Sequence, residues 1–314
     1  VIQIGIDLGG SNLRAARFDG DDRRPREVHK EPVGDARAPE AVIERLARTI
    51  ERLAGDEADV PVGIGLAALL RDRRGTVAQS PHLRWRDVAF GERLARRLGA
   101  RFRLGVYNDV NAISWGEAVA GAGRGYRDLL AVYVGTGIGG GMIVDGRLVE
   151  GASNCAGEIG HTKVRWGDGA TPCMCGGRGC VEAYVGGRYL VERIRTELAR
   201  GATTSVAAGA MPDHVDAAAA AGDPWALGLW TELGTLLAVA IGNALAILNS
   251  SRLILGGGVL DRTPTLRAIA QARIAEMAPP ASLEPLSIAV AELGDDAGLV
   301  GAARLAQAGV SIIE

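Results

Sequence analysis

Lysine is nearly absent from this 314-residue chain: Lys30 and Lys163 are the only two lysines among 35 basic residues. The arginine excess, set beside abundant alanine and glycine, reads as the coding bias of a GC-rich genome and not as a binding surface. No long run of one charge occurs, and the formal net charge is −2. Nothing therefore directs the chain to nucleic acid or to an anionic membrane. An unbroken apolar span of ~20 residues is missing too; the longest run, Leu233–Leu248, is interrupted by Gly234, Thr235, Gly242 and Asn243. No basic region with a cleavage site opens the sequence, because Val1–Leu8 reads as a strand. The expectation is a soluble cytoplasmic protein without a nucleic-acid or membrane partner. Cysteine is scarce, and three of the four (Cys173, Cys175, Cys180) fall within eight residues, with Cys155 apart. A reducing compartment favours such a cluster as metal ligands over disulfides.

The length exceeds that at which a single core usually stops growing, so two domains are expected. Val1–Asp7 alternates around Gly5 and reads as a strand; Leu13–Phe18 is its antiparallel partner, and Glu27–Glu31 a third strand. Glu40–Leu53 has helical spacing, Val62–Leu66 is a buried strand, Val88–Leu98 a helix, and Arg101–Tyr107 a strand running into Asn108–Asp109. The grammar then restarts with Leu129–Val134, a glycine-rich turn over Gly135–Gly141, and a return through Met142–Asp145. This echo predicts two halves built on one plan. Gly176–Gly187 reads as a loop, Tyr189–Ala199 and Pro224–Leu248 as helices, Leu253–Leu255 and Ile288–Ala291 as strands, and Ala297–Ala308 as a closing helix. The alternation argues for an α/β fold. No low-complexity linker separates the halves, which places the boundary in the helix beginning near Asp109.

Three strand-to-glycine junctions are candidates for phosphate chemistry. In Asp7-Leu8-Gly9-Gly10-Ser11-Asn12-Leu13-Arg14, backbone N–H groups and the Ser11 hydroxyl can face a phosphate, with Asp7 placed to hold Mg²⁺ through water. A plain hairpin turn accounts for the same residues. Gly135-Thr136-Gly137-Ile138-Gly139-Gly140-Gly141 holds five glycines in seven residues, more than a turn needs, and a backbone nest for a polyphosphate explains the surplus. It is neither a Walker loop, since no Gly-Lys-Ser/Thr follows, nor a dinucleotide fingerprint, since no helix follows. Ile254-Leu255-Gly256-Gly257-Gly258 is the third, readable also as a helix-capping turn; with the other two it suits the nucleoside end of a nucleotide. Asn108 and Asp109 stand where a strand gives way to a helix. One of them is enough for an N-cap, and a phosphoryl acceptor needs a carboxylate to take its proton. His161, Cys173, Cys175 and Cys180 form a closed tetrahedral donor set suited to structural zinc. Glu158 and Glu182 bracket that loop and suit sugar hydroxyls, although ordinary surface glutamates would look the same.

In this order, Asp-x-Gly-Gly-Ser-Asn-x-Arg, Asn-Asp-x-Asn-Ala, Gly-Thr-Gly-Ile-Gly-Gly-Gly, Gly-Glu-x-Gly-His and Cys-x-Cys-Gly-x-x-Gly-Cys-x-Glu resemble the ROK family of sugar kinases and regulators, from residue 4 to about 260. The resemblance implies an actin/hexokinase-like (ribonuclease H-like) two-lobe α/β fold with a structural zinc loop at 155–182. Residues 1–110 would form one lobe, completed by the C-terminal helix 297–314, and 111–296 the other. It implies transfer of the ATP γ-phosphoryl group, with Mg²⁺, to the 6-hydroxyl of a glucose-like hexose. Asp109 would be the base, with Asn108, Glu158, His161 and Glu182 on the other hydroxyls. His161, Cys173, Cys175 and Cys180 would hold Zn²⁺. Asp7, Gly9, Gly10, Ser11 and Asn12, with Gly135, Thr136 and Gly137, would face the phosphates, and Gly256, Gly257 and Gly258 the nucleoside. Family members resemble homodimers or dimers of dimers. Because the first phosphate motif begins at residue 7, the DNA-binding segment of family regulators is not expected before it. A non-catalytic sugar sensor is the alternative from another class, and polyphosphate an alternative donor. Two departures bear on substrate: Gly63-Ile64-Gly65-Leu66-Ala67-Ala68-Leu69-Leu70-Arg71 lacks the usual Pro-Gly pair, and Pro81-His82-Leu83-Arg84-Trp85 stands where Asn-Leu often precedes tryptophan. They open an amino-sugar alternative (kanosamine, N-acetylglucosamine or N-acetylmannosamine) beside glucose.

Overall fold

The computed structural model describes residues 2–20 and 22–313; Val1, where the first strand was expected to begin, and Glu314 lie outside them. The strands run β1 (Ile2–Leu8), β2 (Asn12–Asp19), β3 (Glu27–Pro32), β4 (Val60–Leu66), β5 (Leu69–Leu70), β6 (Thr76–Ser80) and β7 (Trp85–Ala89). They continue with β8 (Phe102–Asn108), β9 (Leu129–Val134), β10 (Ile138–Val144), β11 (Arg147–Leu148), β12 (Arg252–Gly256) and β13 (Ser287–Val290). The helices are α1 (Pro39–Ala54), α2 (Phe90–Leu98), α3 (Asp109–Ala120), α4 (Glu182–Val185), α5 (Gly187–Ala199) and α6 (Pro212–Ala220). After them come α7 (Pro224–Leu248), α8 (Gly258–Arg262), α9 (Pro264–Met277), α10 (Pro280–Leu283) and α11 (Ala297–Gln307).

Two five-stranded sheets carry the chain, ordered β3-β2-β1-β4-β8 and β11-β10-β9-β12-β13. In each, three antiparallel strands lead into two parallel ones, so the second sheet repeats the first. The repeat expected from the sequence is thus present as topology. Each sheet has its own core. Ile4, Ile6 and Leu8 of β1 pack with Val62 and Ile64 of β4 and with Leu46 and Ile50 of α1. Val132 and Val134 of β9 pack with Leu253 and Leu255 of β12 and with Leu233, Leu237 and Ile241 of α7. The other face of the first sheet meets α11. Gly5 and Gly63 let the Leu299 and Ala302 backbone sit directly on β1 and β4. Helix α11 also crosses α3, so the helix that starts the second half and the one that ends the chain lie together.

Several elements differ from expectation. The predicted helix Val88–Leu98 begins only at Phe90. Val88 pairs with Val77 in the β6–β7 hairpin, whose spacing continues into the helical one and masks the change. Gly139–Gly141 lie inside β10 and are not part of a turn. The segment read as a loop contains the short helix α4. Helices α6 and α9 had no strong pattern because alanine, in Asp213–Ala220 and Ala268–Ala275, blurs the contrast between faces. Helix α7 is 25 residues, long and apolar enough by composition to cross a bilayer, contrary to the interrupted-run reading. Half of its most apolar stretch is buried inside the protein, against α9 and α6.

Candidate active site

The parallel arrangement of β1, β4 and β8 brings their carboxyl ends to one edge, where β8 turns into α3. Asn108 caps that helix: its Oδ1 accepts from the Val110 and Asn111 amides at 2.9 and 3.2 Å, and its Nδ2 donates to the Ala68 carbonyl at 3.3 Å. Capping by Asn108 frees Asp109 from that task. Asp109 lines a cavity of about 350 Å³, and the Val110 N–H donates to its Oδ1 at 3.0 Å. Burial pushes its carboxyl up to about 6, against the pull of that N–H; the charges of Asp7 and Glu158 add to the rise.

The opposite wall comes from the 3₁₀ turn Ile159–His161 and from α4. Glu158, His161 and Glu182 all line the cavity. The Glu158 carboxyl is also raised, first by burial and then by Glu182, while His161 lowers it. Glu182 Oε2 accepts from the Ile138 N–H at 2.8 Å, which ties α4 to the start of β10. His161 faces two ways: Nδ1 lies 3.7 Å from Cys173 Sγ, and Nε2 lies 3.7 Å from Glu158 Oε2. Behind it, ligand atoms of His161, Cys173, Cys175 and Cys180 all lie within 4.8 Å of one another. Cys175 and Cys180 Sγ are 3.6 Å apart, close to the roughly 3.8 Å edge of a tetrahedron with Zn–S bonds of ~2.3 Å. The donor set therefore fits a thiophilic tetrahedral ion. Cys155 is exposed and outside the group.

The first two glycine-rich segments line two cavities. Gly135, Thr136 and Gly137 line the cavity beside Asp109. Gly139, Gly140 and Gly141 also pack closely against neighbouring elements. A Cβ on Gly139 would fall 2.7 Å from Val110 Cγ2, one on Gly140 would fall 2.8 Å from Ile159 Cγ2, and one on Gly141 would meet Ser114 Oγ. Gly139 and Gly140 also line the cavity, and close packing of α3 and the Glu158 turn against β10 accounts for part of the glycine surplus. Asp7, Gly9, Gly10, Ser11 and Asn12 line a second cavity, of about 420 Å³, with Arg14, Lys30 and Asp295. Burial raises the Asp7 carboxyl, and Arg14 counteracts it. Gly256 is buried at the end of β12, while Gly257, at φ +92°, turns the chain against Val134 and leaves Gly258 exposed.

Sequence reasoning missed Asn154 and Tyr133 in the first cavity and Arg14, Lys30 and Asp295 in the second. Arg14 closed the first motif and could have been found there. It binds the Asp295 carbonyl and, at 2.7 Å, Asp296 Oδ1, a pairing across 282 residues that no local pattern announces.

The ROK family pattern matches residues 3–309. The glucokinase of Streptomyces coelicolor is 32% identical over 318 residues, covering 98% of both chains. The N-acetylmannosamine kinase of Citrobacter koseri is 33% identical over 314 residues, covering 97% of this chain and 98% of its own. Among solved structures, a ROK glucokinase from Streptomyces griseus in complex with glucose and AMPPNP superposes with a TM-score of 0.77. It is 30% identical, over 98% of this chain and 100% of that one. With its paired sheets, its Asn108–Asp109 helix start and its match along nearly the whole sequence, the chain is a member of the ROK family, with that family's two-domain α/β sugar-kinase fold of the hexokinase/actin type.

Proposed function

We propose that the protein transfers the γ-phosphoryl group of ATP to the 6-hydroxyl of a glucose-like hexose. The observation that carries this reading is Asp109, a carboxylate raised to about 6 and open to a cavity whose far wall is Glu158, His161 and Glu182. A general base is most effective with a pKa near the working pH. In the proposed reaction Asp109 accepts the hydroxyl proton as the sugar oxygen bonds to the γ-phosphorus and the bond to the ADP oxygen breaks. Glu158 and Glu182 accept from other hydroxyls, and His161 donates through Nε2. Asn108, held by its cap, offers its remaining amide hydrogen. Gly9–Asn12 and Gly135–Gly137 face the phosphates from the two sheets, and Gly257–Gly258 the nucleoside.

Mg²⁺, held through Asp7, would neutralise phosphate charge. Zn²⁺ at His161, Cys173, Cys175 and Cys180 would be structural, since four protein ligands leave no open position. It would fix His161 by Nδ1 and so aim Nε2 at the sugar. In this reading residues 1–110 with 297–314 form one lobe and 111–296 the other, closing on the substrates to exclude water.

A second substrate reading, an amino sugar, draws on the divergent Ala67–Ala68 segment: the Ala68 carbonyl accepts directly from Asn108 Nδ2. A curated relative, the Citrobacter koseri enzyme, is an amino-sugar kinase. ADP release with Mg-ATP, measured against glucose, mannose, glucosamine, N-acetylglucosamine, N-acetylmannosamine and 3-amino-3-deoxyglucose, tests both. Saturable release with one of these hexoses is expected. Sugar binding without release, for every sugar, would make the protein a sensor.

A further inference from the structure

Glu117 of α3 is fully buried, yet the proposed reaction makes no use of it. Its Oε2 accepts from the Ala122 N–H at 2.8 Å. Its Oε1 accepts from the Glu292 and Leu293 N–H groups at 2.9 and 2.8 Å. The end of α3 does not need all of this, because the Glu117 carbonyl already takes the Gly121 and Gly123 amides at 3.1 and 2.8 Å. A buried carboxyl is costly unless its hydrogen bonds are made. Here one of its two oxygens is committed entirely to a segment 175 residues farther along the chain.

That segment supplies part of the second cavity. It leads from β13 through the 3₁₀ turn Gly294–Asp296 into α11. Gly294, Asp295 and Gly298 line the cavity with Asp7 and Arg14. Arg14 donates to the Asp295 carbonyl and, at 2.7 Å, to Asp296 Oδ1. The Asp296 side chain does not cap α11, so its bond to Arg14 is free of that task. Arg14 stands opposite Asp7 in the β1–β2 ladder, and a Cβ on Gly298 would fall 3.6 Å from Asp7 Cγ. A continuous path therefore runs from Glu117 through the Glu292 and Leu293 amides to Asp296, Arg14 and Asp7.

We propose that Glu117 is a positioning residue for the phosphoryl donor. It ties the 292–296 segment to α3, and so keeps Arg14 beside Asp7 in the frame of the helix that begins with Asp109. The inference rests on the second cavity seating phosphates, as proposed above. The first turn of α3 has its own anchors, the Asn108 cap and the bond from Asn108 to the Ala68 carbonyl. The tie through Glu117 therefore bears on the donor and not on the sugar.

Titration calorimetry with Mg-ADP on the full chain tests this in wild type, Glu117→Gln, Asp296→Ala and the double variant. Glutamine has one acceptor oxygen where glutamate has two, so in either orientation its amide N–H faces a backbone N–H. Glu117→Gln is expected to weaken Mg-ADP about tenfold and to raise KM for Mg-ATP by a like factor, with KM for the sugar within about twofold of wild type. Asp296→Ala removes a half-exposed side chain and is expected to weaken Mg-ADP similarly. The double variant is expected to bind no more weakly than the worse single one, since both cut one path. In wild type, Mg-ADP is expected to slow hydrogen exchange at the Glu292 and Leu293 amides, the reciprocal of the same coupling, and this measurement needs no substitution. A Glu117→Gln protein that melts lower but binds Mg-ADP as wild type does would make the residue purely structural and overturn the assignment. Additive effects of the two substitutions, or exchange indifferent to Mg-ADP, would overturn it too. Phosphorylation of a hexose by Glu117→Gln with unchanged KM for Mg-ATP would remove this role and leave the kinase reading standing. Mg-ADP binding coupled through Glu117, without phosphorylation of any hexose, would do the reverse, and no Mg-ADP binding by wild type would overturn both.

Discussion

Adjacent residues at the start of α3 take different tasks. Asn108 commits its oxygen to two helix amides, at 2.9 and 3.2 Å, a cap worth about 1 kcal/mol. Asp109 is left as a poorly solvated carboxylate whose pKa rises to about 6. The pair was legible in the sequence, but its division of labour was not, because either residue caps helices well and only the backbone decides between them. The raised pKa sets the pH dependence. In the proposed role Asp109 works ionised, so the competent fraction would be nearly complete above pH 7 and would fall about tenfold per unit below pH 6. A profile of kcat/KM against pH is therefore expected to rise through a midpoint near 6 and to level off; a profile flat from about pH 5 to 8 would remove Asp109 from the role of base. His161 gives a similar lesson. The sequence motif offered it both to the metal and to the sugar. The geometry accommodates both uses, because Nδ1 faces Cys173 and Nε2 faces Glu158.

Among elements, strands were the easiest to read and alanine-rich helices the hardest. β1, β4 and β9 announce themselves by short apolar runs, whereas α6 and α9 present alanine on several faces and leave little periodicity. The glycine-rich return through β10 was read as part of a turn, whereas Gly139–Gly141 lie in the strand. A phosphate nest and a strand packed without side chains under a helix need the same residue, and the sequence does not show whether Val110 or a phosphate fills the space. In the proposed reading the pocket depends on the cysteine loop, since α4 carries Glu182 directly after Cys180 and Val181. Cys175→Ser is expected to lower bound zinc, read by elemental analysis, and to raise KM for the sugar more than it changes kcat. Zinc content and sugar KM both equal to wild type would separate the loop from the pocket.

Over the whole molecule, the site is assembled from distant parts of the chain. Asp109 feels the charges of Asp7 and Glu158, three carboxylates from positions far apart in sequence, because two sheets of equal topology meet across α3 and α11. The repeat of strand, turn and strand made the two halves legible. The crossing that joins them was not, since it rests on glycines whose value appears only in contact. Gly301 of α11 lies directly on the Ala112 carbonyl of α3, and a Cβ there would collide with it. Gly301→Ala is expected to cost roughly 1–3 kcal/mol, seen as a lower denaturation midpoint, and to reduce turnover by shifting α3 and with it Asp109. Unchanged stability would show that the two helices separate without cost.

The central claim is that Asp109 takes the proton of the sugar 6-hydroxyl as phosphoryl transfer occurs. The most direct measurement follows product by phosphorus NMR with the preferred hexose and Mg-ATP, for wild type and Asp109→Asn, alongside sugar binding by calorimetry. The account predicts a 6-phosphate from wild type. For the variant it predicts turnover reduced by about 10²–10⁴-fold, with sugar affinity within a few-fold of wild type. A phosphate on another hydroxyl, or a variant that keeps its turnover and loses the sugar, would contradict it.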